Sequence, residues 1–153
     1  MSLEKVREYF SQYQLEERIH VFDHETATVE QAAKVLDIEP NQVAKTMAFN
    51  LKEGPIVIVT EGGARIANAK FKAAFGQKAK MVKPNELESV VGHPIGGVCP
   101  FALKPNVKVY LDQSLKQHEV VYPAAGSANS GIELTLAELE KYAQPAEWVD
   151  VTK

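Results

Sequence analysis

Lys45 stands in the run Val43-Ala44-Lys45-Thr46-Met47-Ala48-Phe49-Asn50-Leu51, with the large side chains at odd positions and small or polar ones at even positions. Side chains alternate across a strand, so Lys45 shares a face with Val43, Met47, Phe49 and Leu51. A lysine on such a face snorkels at a sheet margin, pairs with an acid, or lines a cavity. In a cavity its ammonium suits a phosphate, a carboxylate or a developing oxyanion.

A second group is Gly92-His93-Pro94-Ile95-Gly96-Gly97-Val98-Cys99-Pro100-Phe101. Its prolines and glycines forbid a regular helix and weaken any strand. Gly96-Gly97 permits positive φ and a close backbone approach to a ligand, so main-chain N–H groups there are candidates for a carbonyl or oxyanion site; a rigid turn is the structural alternative. His93 and Cys99 share this loop and raise the question of a Cys/His nucleophile. The apolar neighbours Val98, Pro100 and Phe101 favour a buried thiol of raised pKa instead, and leave His93 as a pocket residue.

A third group, Tyr122-Pro123-Ala124-Ala125-Gly126-Ser127-Ala128-Asn129-Ser130, is built of small residues that admit a ligand or another backbone, with hydrogen-bonding groups at Ser127, Asn129 and Ser130. His20, His24 and His118 have no metal-ligand spacing, and neither a phosphate-binding P-loop nor a dinucleotide fingerprint occurs, so no metal and no cofactor are expected.

Helical periodicity predicts helices over residues 3–13, 28–36, 67–75, 84–91 and 135–142, with capping boxes at Thr28/Gln31 and Thr135/Glu138 and a stop at Gly76. Strands are predicted over residues 18–22, 43–51, 55–61, 80–82, 107–111, 119–122, 131–134 and 148–151. The second and third form a hairpin through Lys52-Glu53-Gly54. No regular βαβ alternation is present, so an α+β fold around a largely antiparallel sheet is expected, as one domain over residues 1–153.

The chain has 153 residues, 45% of them hydrophobic, and a single cysteine, which excludes an internal disulfide framework and a thiolate zinc cluster. Its apolar runs are too short to span a membrane, and residues 1–10 do not resemble a signal peptide, so a cytoplasmic protein is expected. The net charge of −3 argues against a generally basic nucleic-acid binder, and no DNA partner is expected. The charge is, however, unevenly distributed. Residues 62–85 carry six basic groups (Arg65, Lys70, Lys72, Lys78, Lys80, Lys83) and no acid, leaving eleven basic and twenty acidic residues elsewhere. Such an asymmetry fits a local surface for a polyanion, or else a solvated face whose counter-charges come from elsewhere in the fold.

The order Val-Ala-Lys-Thr at 43–46, Gly-Ala-Arg-Ile-Ala-Asn-Ala-Lys at 63–70, the GHPIGGVCPF loop at 92–101 and AGSANSGIEL at 125–134 resembles the YbaK/prolyl-tRNA synthetase editing-domain superfamily, over about residues 18–142. The resemblance implies a compact α+β domain with a curved, barrel-like, mainly antiparallel sheet flanked by helices and a cleft on one side. It also implies hydrolysis of the ester in mischarged aminoacyl-tRNA, most often a small amino acid such as Cys or Ala on proline tRNA. The partners implied are the aminoacyl-tRNA acceptor end and prolyl-tRNA synthetase. The family's strand lysine falls on Lys45 and its loop glycine on Gly96 or Gly97, the implied catalytic positions. Thr46, Arg65, Asn68, Lys70, His93, Gly126, Ser127 and Asn129 are the implied substrate-binding positions. The segment Gly126-Ser127-Ala128-Asn129 departs from the Gly-Gly-Lys-Arg type of the cysteinyl branch, and Cys99-Pro100-Phe101 departs from the alanyl branch, so the amino acid stays open. A non-catalytic tRNA- or synthetase-binding module of the same fold is the alternative, and a Cys99-dependent hydrolase or redox protein is a third reading.

Overall fold

In the computed structural model, which describes residues 2–153, the chain runs through α1 (Ser2–Ser11), β1 (Ile19–Val21), α2 (Val29–Leu36), β2 (Val43–Leu51), β3 (Gly54–Glu61), α3 (Asn68–Phe75), α4 (Leu87–Val91), β4 (Lys108–Asp112), β5 (Val120–Pro123), β6 (Ser130–Ile132), β7 (Leu134–Thr135), α5 (Leu136–Ala143) and β8 (Glu147–Val149). Six strands form one curled sheet in the order β7-β5-β2-β3-β4-β8, and β1 pairs with β6 beside it. This is the expected α+β class. The helix ends follow local chemistry. Thr28 and Thr135 each accept the N–H three residues on while Gln31 and Glu138 return the bond, and α3 stops at Gly76 in a left-handed conformation.

The hairpin is as expected, with Leu51 opposite Gly54 and Lys45 opposite Thr60. The sheet as a whole is mixed, which corrects the mainly antiparallel expectation: β2–β5, β3–β4 and β4–β8 are parallel. Side-chain alternation fixes which face a residue takes but not strand direction, and only the hairpin has a loop short enough to dictate it. Two further expectations change. Residues 80–82 form a single bridge, Met81 to Phe49, rather than a strand, held by Asn50 N–H to the Lys80 carbonyl (2.8 Å) and Val82 N–H to the Ala48 carbonyl (3.0 Å). The run 131–134 divides, its first part joining β1 and its last part joining β5.

The main core contains Val6, Phe10, Ala44, Ala48, Val57, Val59, Cys99, Phe101 and Leu139. On the other face of β2, Phe49 packs with Phe71 and Val151 under α3, while Val43 packs with Ala32 and Ala33 of α2. Lys45 therefore lies between two apolar clusters, in a position neither helix covers with hydrocarbon. The buried Asp112 carboxylate accepts from Ser114 N–H, Val151 N–H and the Thr152 hydroxyl, which ties down the C-terminal segment without leaving the charge unpartnered.

Candidate active site

The even positions of β2, Ala44, Thr46 and Ala48, are small, and the space they leave becomes the floor of a cleft of about 290 Å³. Lys45 and Met47 also line it. The residues before and within α2 (Phe22, Thr26, Ala27, Thr28, Val29, Ala32) make one wall, Ile95, Gly96 and Val98 another, and Tyr122, Ala124, Ser130 and Gly131 a third. Among the described residues, the lining holds no carboxylate, histidine or cysteine. The Thr46 hydroxyl is buried there and makes no hydrogen bond.

Lys45 is half-buried, and its ammonium donates to the Ala64 carbonyl at 2.6 Å. Burial lowers its pKa from the ordinary 10.5, the nearby Arg65 lowers it further, and Glu30 opposes both. The exposed Arg65 thus places a second cation beside Lys45. A strand lysine anchored on the Ala64 carbonyl, with the cation of the next residue, Arg65, beside it, suits a phosphate better than a single carbonyl oxygen.

Pro94-Ile95-Gly96-Gly97 is a tight turn closed by Gly97 N–H to the Pro94 carbonyl at 3.0 Å, with Gly96 at φ +82°. That geometry requires a glycine at the third position. It also corrects the expectation for the pair. The Gly97 N–H is spent inside the turn, whereas the Gly96 N–H makes no hydrogen bond among the described residues and belongs to the cleft wall. Gly97 serves by its lack of a side chain: an added Cβ would meet the Gly126 carbonyl carbon and the Ser127 nitrogen, each at 2.6 Å.

Gly126, Ser127 and Asn129 do not line the cleft. They build its wall from behind. Gly126 N–H donates to the Gly97 carbonyl (3.1 Å), and the Ser127 hydroxyl bonds Asn129 Oδ1 and Ser130 Oγ. Asn129 Nδ2 donates to the Phe22 carbonyl, and Phe22 and Thr26 N–H groups donate to the Asn129 and Ala128 carbonyls, strapping the 22–28 loop in place. Asn68 and Lys70 are exposed on α3 and outside the cleft lining, and Lys70 is occupied by the Thr152 carbonyl and Asp150. Residues that sequence reasoning did not single out include Phe22, Ala27, Met81 and Ile95; the small even positions of β2 were the signal that space opens above them.

His93 is corrected as a pocket residue. It is fully buried, Nε2 donates to the Phe101 carbonyl at 2.7 Å, and Nδ1 is paired with the Ser2 hydroxyl, so both ring nitrogens are committed and the side chain is structural. Burial holds its pKa below the ordinary 6.5, outweighing the Phe101 carbonyl, which favours the cation. The unfolded chain takes up that proton near 6.5 and the folded chain only at lower pH. Stability is therefore complete above 6.5 and lost as pH falls through the lowered folded value. The urea midpoint of the wild type should drop between about pH 7 and pH 5, and less steeply for His93→Gln; parallel slopes would contradict this.

Cys99 is the buried thiol that its apolar neighbours suggested, and not a nucleophile. The thiol is fully buried and pushed up to about 12 by burial, against the opposing Phe101 hydrogen bond, and its nearest ring nitrogen is the His93 Nε2 already committed to that carbonyl.

Residues 23–142 match the family model of the aminoacyl-tRNA editing domain. The chain is 46% identical to the "Uncharacterized protein YwhH" of Bacillus subtilis (strain 168), over all of this chain and 98% of that one. It is 32% identical to the "Putative Cys-tRNA(Pro)/Cys-tRNA(Cys) deacylase EbsC" of Enterococcus faecalis, over 73% of this chain and 68% of that one. The fold superimposes on the crystal structure titled "putative trans-editing enzyme for prolyl tRNA synthetase" with a TM-score of 0.88 at 22% identity, covering 99% of this chain and 97% of the other.

Proposed function

Because this chain belongs to the aminoacyl-tRNA editing domain family, we propose that it hydrolyses the ester of mischarged aminoacyl-tRNA, with a small amino acid such as Cys or Ala on proline tRNA as its substrate. The observation that carries the reading is the cleft itself, which joins Lys45 and the unspent Gly96 N–H around a narrow, alanine-rich cavity. Lys45, with Arg65 beside it, holds the phosphate next to the terminal nucleoside. The Gly96 N–H holds the ester carbonyl and the oxyanion of the tetrahedral intermediate. Water attacks that carbon and the ribose oxygen leaves. A lining without carboxylate, histidine or cysteine leaves the proton of the attacking water to a relay through the substrate's own vicinal hydroxyl, which takes that proton as it gives its own to the departing ribose oxygen, rather than to a protein base. Small side chains fit the cavity and larger cognate ones do not, a size-based second sieve. The protein acts in the cytoplasm alongside prolyl-tRNA synthetase, whose product it clears.

Proline tRNA charged with Ala, Ser, Cys or Thr separates the outcomes when ester loss is followed with and without the protein. One or two of the small residues should be released at least tenfold faster than the spontaneous rate, and prolyl-tRNA should be spared. Binding of all five tRNAs with no acceleration would replace the enzyme by a binding module.

A further inference from the structure

Met81 and Ile95 are two of the four large apolar side chains left strongly exposed among the described residues, at 58% and 64%, and both border the same cleft. Single exposed apolar residues carry no message, but two at the mouth of one cavity do. Neither is on a loose segment. Met81 is pinned by its bridge to Phe49 and the hydrogen bonds on either side of it, and Ile95 is held at the tip of the Pro94–Gly97 turn. The cleft is graded: the buried alanines 44 and 48 keep its floor small, whereas its rim carries these two long, deformable side chains. Lys80 and Lys83 are exposed on either side of Met81, in a stretch free of acids from residue 62 to residue 85.

We infer that Met81 and Ile95 are two lips that grip the faces of the terminal purine base of the bound nucleic acid, with Lys80 and Lys83 meeting phosphates further back along the strand than the one held by Lys45. This rests on the deacylase reading and names the part of the substrate that the reacting groups do not touch. The occupant has to be flat, apolar on its faces and attached to an anionic chain, and a 3′-terminal adenosine combines all three. Aliphatic and thioether side chains make sequence-tolerant contact with a ring face, and burying the lips removes exposed hydrocarbon from water. The grip sets the ester at the depth of Gly96 and Thr46, so that base binding contributes to hydrolysis of an ester it does not contact.

Two measurements test it. The trinucleotide CCA, titrated onto protein carrying 13C-labelled methionine methyls, should shift the Met81 methyl resonance, and by more than that of Met47 on the cleft floor. The double variant Met81→Ser/Ile95→Ser should lose about tenfold in CCA affinity at unchanged melting temperature. In turnover, its preference for 3′-O-alanyl-adenosine over an alanyl ester of a simple diol should fall about tenfold, through KM rather than kcat. CCA shifts at Met81 in a protein without deacylase activity would uphold the grip and defeat the deacylase reading. Deacylation by the wild type with no Met81 shift and no change in the double variant would overturn the grip alone. So would a double variant that sediments as a smaller species than a self-associating wild type, since the lips would then belong to a second copy of the chain.

Discussion

Lys45→Ala should lower kcat/KM for the most sensitive mischarged tRNA by about a hundredfold. The ammonium is held on the Ala64 carbonyl at 2.6 Å, half removed from water, with Arg65 as a second cation. A hydrogen bond to a charged group in such a setting is worth about 1.5–3 kcal/mol, and about 1.4 kcal/mol is tenfold in rate. Lys45→Arg should recover only part of the loss, because a planar fork cannot reproduce a point donor seated on one carbonyl. Stability should move the other way. Burial lowers the Lys45 pKa, so folding disfavours its charged form, a cost relieved as pH rises through the lowered value. Lys45→Met should therefore melt no lower than the wild type at pH 7. Activity should also decline on the alkaline side earlier than an ordinary lysine of pKa 10.5 would allow. Steady-state kinetics on purified variants decide the matter, and wild-type kcat/KM in Lys45→Ala would remove this residue from the mechanism.

Gly97→Ala should do its damage through packing. The new Cβ would lie 2.6 Å from two backbone atoms and 2.8 Å from Ser127 Cα, none of which is the far end of a flexible side chain. The Gly126–Ser127 segment cannot retreat. A Cβ at Gly126 would itself lie 2.8 Å from the Ser2 carbonyl oxygen, so the start of α1, Gly126 and Gly97 form a stack without slack. Overpacking of this kind costs about 1–3 kcal/mol. At roughly 2–4 °C per kcal/mol for a chain of this size, the melting temperature should fall by about 3–10 °C. Deacylation should fall further than the unfolded fraction explains, because the turn that carries Gly96 is pushed off its partner. Gly76→Ala is the comparison, since that site is open and its φ of +71° adds only conformational strain of about 1–2 kcal/mol. A Gly97→Ala protein that melts within a degree of the wild type would show that the two segments are not in contact as described.

Much of the local structure follows from short-range chemistry. The Thr28/Gln31 and Thr135/Glu138 boxes close by side-chain bonds three residues apart, so sequence alone locates those helix starts. The Lys45 reading rests on a period of two and places the lysine beside the large apolar residues of β2, where it is found. The family is legible from the same segments. Strand direction is not, because β3 and β4 become parallel neighbours only after the intervening 46 residues have packed, and nothing local encodes that choice.

The site divides in the same way. Residue type and spacing determine that a lysine, a two-glycine turn and a run of small residues are present, and that their chemistry suits an anion and a carbonyl. Tertiary structure decides which atoms remain available. Backbone hydrogen bonding spends the Gly97 N–H and leaves that of Gly96. Burial removes His93 and Cys99 from reach of a ligand, and packing turns Gly126, Ser127 and Asn129 from lining into support. Whether a polar group is free depends on partners distant in the chain, such as Ser2 for His93 and Phe22 for Asn129, and no spacing rule within the loop contains them.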